Sequence, residues 1–229
     1  MRIISGTKRG MTILPPKGDT TRPITDRVKE SIFDVLYKYN LIEGRLVADL
    51  FCGTGSFGLE ALSRGAKEAV FVDMNKRAIE ILRKNIAKAG FISQSRIVCA
   101  NAFKIGAPPG SDGQKYSLVF VDPPYEMSRE TGLNSRLGGL LLLLAEQITE
   151  DGLVIVRTEK KVNPVRDKMS KRPDNHRGRP VSNGVNLLDN YGDLKIIDKR
   201  VWGSMSVAFL ALKKDDKQTG GNTDNSHPA

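Results

Sequence analysis

Asp122-Pro123-Pro124-Tyr125 combines residue types that could do chemistry at the end of a strand. The preceding Leu118-Val119-Phe120-Val121 is an apolar run of strand length. Two consecutive prolines stop a sheet and fix a rigid turn, holding an acid and an aromatic at the strand's carboxyl end. These groups suit the exocyclic amine of a nucleic-acid base, a poor nucleophile because its lone pair is delocalised into the ring. The Asp122 carboxylate and the Pro123 carbonyl can accept its two N–H groups and localise that pair, while Tyr125 stacks on the base. Charge builds on the nitrogen during methyl transfer, so acceptors placed there help most in the transition state.

A second constellation, Asp49-Leu50-Phe51-Cys52-Gly53-Thr54-Gly55-Ser56-Phe57-Gly58, follows an apolar strand and opens a helix. Glycines there let backbone approach a ligand that a Cβ would block. Gly53, Gly55 and Gly58 also have the spacing of a dinucleotide fingerprint, and Asp73 lies where a ribose-binding acid belongs. The loop alone therefore fits either a nicotinamide cofactor or S-adenosylmethionine. Asp49 leans towards the latter, because its charge repels a pyrophosphate and attracts a cationic methionine moiety. Met74 offers adenine an apolar surface.

The surrounding pattern supplies the frame. Arg2 to Pro15 reads as a β-hairpin, with Ile3, Ile4, Met11, Ile13 and Leu14 flanking a Gly6-to-Gly10 turn. Thr25 can cap a helix carrying Val28, Ile32, Phe33, Val35, Leu36 and Tyr39. Strands are expected over 46–51, 69–72, 96–99, 118–121 and 153–156, with helices over 58–64, 76–89 and 137–148. Such alternation implies a parallel sheet covered on both faces. Strands over 194–201 and 206–212, joined at Gly203-Ser204, add an antiparallel hairpin at its edge. The fold class is α/β, a doubly wound, mostly parallel seven-stranded sheet with an N-terminal β-hairpin extension. Its ligands belong at the carboxyl ends of the strands. The domains expected are a hairpin and connector over 1–23, a main domain over 24–213 with a disordered insertion over 163–186, and a disordered tail over 214–229.

Composition excludes other classes. Two cysteines and two histidines, widely scattered, make neither a disulfide framework nor metal-ligand spacing, so no metal is expected. The longest apolar stretch, around Leu140 to Ala145, is too short for a membrane span, and no secretory signal opens the chain, so a cytoplasmic location is expected. The formal charge is +10, and residues 1–30 and 162–185 each carry an excess of four positive charges. Clustered basic charge favours a polyanion, although solubility charge is an equal reading for either segment alone. Within the second segment, Lys168-Met169-Ser170-Lys171 spells an aminoacyl-tRNA synthetase signature, and Arg177-Gly178-Arg179-Pro180 matches the core of an AT-hook. Short basic strings of this kind arise easily by chance.

Taken together these residues resemble the RsmD family of bacterial 16S ribosomal RNA (guanine-N2)-methyltransferases. Arg2-Ile3-Ile4-Ser5-Gly6 with Arg9-Gly10 resembles the family's opening hairpin. Arg22-Pro23-Ile24-Thr25-Asp26-Arg27-Val28-Lys29-Glu30 resembles the signature that sets the family apart from other amino-methyltransferases. Asp49 to Gly65 and Val121 to Tyr125 match its cofactor region and catalytic turn. The resemblance spans Arg2 to Lys213 apart from the insertion. It implies a class I methyltransferase fold, S-adenosylmethionine as cofactor, and 16S rRNA as partner, within a small subunit or its assembly intermediate. It further implies that Asp49, Gly53 and Gly55 bind the methionine moiety, and that Asp73 binds the ribose. Met74, Asn101 and Ala102 would contact adenine, and Asp122, Pro123 and Tyr125 would act in catalysis. Arg9, Arg22, Arg27, Pro124 and Tyr125 would face substrate, a salt bridge to Asp26 or Glu30 being the equal alternative for Arg27. Methylation of adenine N6 or cytosine N4 is the runner-up. A nicotinamide-dependent oxidoreductase or a non-catalytic RNA-binding module fits less well.

Overall fold

The computed structural model describes residues 1–15, 24–159, 179–180 and 187–213. Strand β1 (Leu46–Leu50) and strand β4 (Tyr116–Val121) are buried throughout, as strands covered on both faces must be. With β2 (Glu68–Asp73), β3 (Ser95–Cys99) and β5 (Ile148–Glu159) they form a parallel array in the order β3-β2-β1-β4-β5. Two short strands, β6 (Arg179–Pro180) and β7 (Asn190–Tyr191), precede the closing pair β8 (Leu194–Trp202) and β9 (Met205–Leu212). Strand β9 runs antiparallel to β5, β8 runs antiparallel to β9, and both short strands pair with β8. The seven long strands are those expected from the sequence. The two short ones are additions that two-residue segments cannot announce by periodicity.

Alternation along each strand sends side chains into two layers. On one face, α1 (Asp26–Tyr37), α2 (Ser56–Ser63) and α3 (Lys76–Ala89) cover Val47, Phe71, Leu118 and Phe120. Phe120 stacks on Phe57 with ring centroids 4.6 Å apart and meets Phe33 at 5.5 Å. On the other face, α5 (Arg136–Gln147) lays Leu137, Leu140, Leu141 and Leu144 against Val119, Val154 and Leu210. Each such side chain removed from water contributes about 1.5–3 kcal/mol.

Capping sets the boundaries. Thr25 Oγ1 accepts from Val28 N and starts α1, which ends at Tyr37 because Asn40 takes a left-handed φ of 51°. Tyr39 therefore lies outside the helix and is exposed, against expectation. Helix α2 begins at Ser56, earlier than the pattern suggested, and β1 ends at Leu50 because Phe51 adopts φ 58°. Helix α4 (Ala102–Ile105) is a single turn that the sequence pattern did not reveal.

The opening segment is a narrow hairpin pinned by the bridge between Arg2 and Thr12 and packed into the body through fully buried Ile3 and Ile13. A Cβ on Gly6 would lie 1.7 Å from the Ser63 carbonyl oxygen, so only glycine permits the contact with α2. Glu60 of α2 accepts from Ile4 N and Ser5 N and forms ion pairs with Lys29 at 3.2 Å and Arg64 at 2.8 Å. The Lys29 and Glu60 side chains are both fully buried, and Lys29 Nζ also donates to the Arg2 carbonyl. Burial lowers the Lys29 pKa, and the field of Glu60 opposes that shift. No helix of the described residues is long and apolar enough to cross a membrane.

Candidate active site

The order β3-β2-β1-β4-β5 places the carboxyl ends of five strands in a row, and the chain reverses direction across the sheet between β1 and β4. A crevice forms where strand order reverses, outside the carboxyl ends. Along that row stand Asn101 after β3, Asp73 ending β2, Asp49 in β1, Asp122 after β4 and Arg157 in β5. Four of these five were expected site residues, so the topology gathers what is scattered in sequence.

Asp49 is buried. Its Oδ2 accepts from Gly58 N at 2.8 Å, while its Oδ1 is buried without a partner. Burial first, and then the fields of Asp122 and Asp73, push its pKa well above the usual carboxylate range; the backbone N–H groups of Gly58 and, more weakly, Phe57 oppose them. Gly58 is the third residue of α2, so the Asp49 carboxylate already occupies the N–H groups that a helix N-terminus offers to an anion. A pyrophosphate would find that position filled by negative charge. A ligand ammonium would supply what Oδ1 lacks.

The loop is held open by its own backbone. Gly53 N donates to Asp73 Oδ2 and Asn75 N to Asp73 Oδ1, both at 2.8 Å, which fixes the Asp73 carboxylate against the loop. The space over Gly53 is empty for at least 4 Å from where a Cβ would stand. Gly55 has φ 89° and would drive a Cβ to 2.4 Å from Leu82 Cδ1. Asn85, buried in α3, donates to the carbonyls of Thr54 and Leu14 and accepts from Leu14 N, tying the loop to the hairpin. Met74 is 61% exposed, as an apolar shelf open to a ligand would be. Asn101 Oδ1 caps α4 by accepting from Phe103 N, which leaves the side-chain NH₂ as its donor beside buried Ala102. The Phe51 and Phe103 rings, 4.7 Å apart, meet beside it.

On the β4 side, Pro123 is buried, Pro124 exposed and Tyr125 half-buried. Asp122 N donates to the Leu50 carbonyl at 3.3 Å, which fastens the turn to the end of β1. Asp122 Oδ1 accepts from Arg157 Nε. Burial raises the Asp122 pKa, and the Arg157 guanidinium pulls it back down. Arg9 and Arg27 are exposed. Asp26 pairs with Arg2, and no ion pair of Arg27 forms among the described residues. Arg22 lies outside the described residues, as do the connector over 16–23, most of the insertion over 163–186 and the tail over 214–229. The Lys168-Met169-Ser170-Lys171 string and Arg177-Gly178 lie outside them too, whereas the backbone of Arg179-Pro180 pairs with Val201 and Arg200.

Residues 1–179 match the family described as Conserved hypothetical protein 95. The chain belongs to this family. Among its relatives, the Escherichia coli (strain K12) protein named Ribosomal RNA small subunit methyltransferase D is 36% identical over 164 residues, covering 68% of this chain and 79% of that one. Bacillus subtilis (strain 168) YlbH, provisionally named an rRNA methyltransferase, is 33% identical over 211 residues, covering 91% and 97%. The solved structure of Escherichia coli yhhF, provisionally titled a methyltransferase, superposes with a TM-score of 0.65 at 25% identity over 93% of this chain and 98% of that chain. The doubly wound fold expected from the sequence is thus the fold of methyltransferase relatives.

Within this family member, sequence reasoning missed three residues at or under the site. Arg157 reads as the end of an apolar strand, and only the β4–β5 register brings it to Asp122. Glu60 carried a signal, since it is a lone acid inside the apolar helix Phe57 to Leu62. Asn85 carried none.

Proposed function

We propose that this enzyme methylates the exocyclic N2 amine of a specific guanine in 16S rRNA, in the cytoplasm, on a small ribosomal subunit or its assembly intermediate. Its relatives support S-adenosylmethionine-dependent methylation of ribosomal RNA. The observation that carries the reading is that a buried, unpartnered Asp49 oxygen and the Asp122 turn stand at the carboxyl ends of the neighbouring strands β1 and β4.

When bound, S-adenosylmethionine supplies an electrophilic methyl group on a sulfonium. Asp49 Oδ1 would hold its ammonium, the bare face of Gly53 and the backbone of Gly55 would accommodate its methionine moiety, and Asp73 would accept from the ribose hydroxyls. Met74, the Asn101 amide and the Ala102 N–H would contact adenine. On the substrate side, Asp122 and the Pro123 carbonyl accept the two amine N–H groups, and Tyr125 stacks on the base. Burial makes Asp122 a stronger proton acceptor than a solvated carboxylate, which suits it to take the proton that nitrogen sheds. Arg9, Arg22, Arg27 and Pro124 face the RNA, whose target base must be unstacked to reach the turn.

A nicotinamide cofactor fits poorly, because Asp49 fills the position a pyrophosphate needs. The test is transfer of labelled methyl to unmodified small-subunit RNA, bare and protein-bound, followed by nucleoside analysis. N2-methylguanosine is expected. N6-methyladenosine or N4-methylcytidine would move the substrate, and no label on either RNA would refute the reading.

A further inference from the structure

Strand β5 carries a buried apolar run, Leu153 to Val156, and then Arg157. Its register with β4 pairs Val121 with Val156, so the next residues, Asp122 and Arg157, come side by side at the carboxyl ends. Their side chains are 16% and 13% exposed, and Arg157 Nε donates to Asp122 Oδ1. The guanidinium carbon also lies 5.9 Å from the centroid of the Tyr125 ring. Arg157 thus meets two members of the turn, Asp122 on the amine side and Tyr125 on the base-stacking side.

This arginine is a poor device for stability. Its Nη1 is buried with no partner, and a desolvated donor left unsatisfied costs stability. A buried ion pair is at best even against apolar residues of similar size. Burying one here on the apolar strand β5 makes sense if the carboxylate beside it has work to do.

We propose that Arg157 is a positioning residue for methyl transfer, acting through Asp122: it fixes the carboxylate by engaging Oδ1, leaves Oδ2 to the amine, and keeps the acid in its ionised, accepting form. The inference rests on the methyl-transfer reading of Asp122. Among the described residues, the charged groups near Asp122 are Arg157 on β5 and Asp49 on β1. Of these, only Arg157 favours ionisation. Removing it leaves burial unopposed, so Asp122 takes up a proton at a higher pH and activity is lost earlier on acidification.

The experiment compares wild type, Arg157→Gln and Arg157→Lys by kcat across pH, by KM for unmodified small-subunit particles, and by calorimetric affinity for S-adenosylmethionine. Arg157→Gln should bind the cofactor like wild type and lose about 10- to 100-fold in kcat, the scale of one charged hydrogen bond. Its acid limb should move to higher pH. Arg157→Lys keeps the charge without the planar fork, so it should hold the acid limb in place and recover part of the rate. An Arg157→Gln enzyme with wild-type kcat and acid limb overturns the proposal, as does a deficit lying wholly in KM or cofactor affinity. Should Arg157→Gln fail to fold, Arg157→Lys decides: a several-fold loss of kcat with an unmoved acid limb supports the role, and wild-type kcat overturns it. Wild type that transfers no methyl group would instead refute the underlying reading.

Discussion

Replacing Asp49 by Asn tests the cofactor site, because it removes the charge and keeps the shape. In the unligated protein Oδ2 is engaged by Gly58 N, Oδ1 has no partner, and burial holds the carboxyl's pKa well above its ordinary value. An ammonium at Oδ1 favours the ionised form, so binding expels a proton wherever the free site is protonated. Wild-type affinity for S-adenosylmethionine should therefore weaken as pH falls through that raised value, and level off above it. The variant loses one charge-assisted hydrogen bond, worth about 1.5–3 kcal/mol, or roughly 10- to 100-fold in Kd, together with this pH dependence. Titration calorimetry with both S-adenosylmethionine and S-adenosylhomocysteine locates the contact, since the latter keeps the ammonium and lacks the sulfonium charge. Equal losses for the two ligands are expected. The reasoning is refuted by an unchanged Kd, by an unchanged pH slope, or by a loss confined to the sulfonium ligand. Stability supplies a second reading. An acid whose pKa is raised by folding destabilises the fold as pH climbs from its unfolded towards its folded value. The melting temperature of the unligated variant should accordingly fall less over that interval than that of wild type.

Asp73→Ala removes a proposed ribose acceptor and also the anchor of Gly53 N, so cofactor Kd should rise at least about tenfold; normal affinity with reduced kcat would contradict the assignment. Glu60→Gln leaves fully buried Lys29 without its counter-charge and should cost about 3–5 kcal/mol in urea unfolding. A loss under about 1 kcal/mol would mean the buried pair is not what holds the hairpin down. Gly55→Ala forces a Cβ against Leu82 at a left-handed φ and should cost about 1–3 kcal/mol and weaken cofactor binding, as read by chemical unfolding and calorimetry; wild-type stability would refute the steric account.

Much of the frame was legible because buried parallel strands and amphipathic helices leave strong periodic signals. The span of α3 was read without error from Ile79, Leu82 and Ile86, since Asn75 caps one end and Gly90 the other. Boundaries failed where a single residue leaves regular backbone: Phe51 shortens β1 and Asn40 ends the turn that sheds Tyr39. The candidate site residues of β1, β2 and β4 could be named because each sits in a contiguous motif. Arg157 could not, since its meaning lies in a hydrogen-bonding register between strands separated by α5. Asn85 was hidden for a similar reason, as a polar residue on a helix is indistinguishable from a solvated one until Leu14 and Thr54 are folded against it.

The charge distribution divides the work of recognition. The chain carries a formal +10, yet the carboxyl ends of the adjacent strands β2, β1 and β4 present Asp73, Asp49 and Asp122 in a row. Mutual repulsion contributes to the raised Asp49 pKa, so a cation entering the crevice would favour an ionised form that its neighbours oppose. The basic excess over residues 1–30 and 162–185 favours a polyanion and speeds encounter with it. Under the proposed function, that polyanion's phosphates would be repelled from the acidic floor, leaving the uncharged, donor-rich edge of a flipped base as the part able to reach Asp122. Methyl donor and acceptor would thereby be selected by opposite properties, positive charge for the one and paired N–H donors for the other, on the two sides of a single strand crossover.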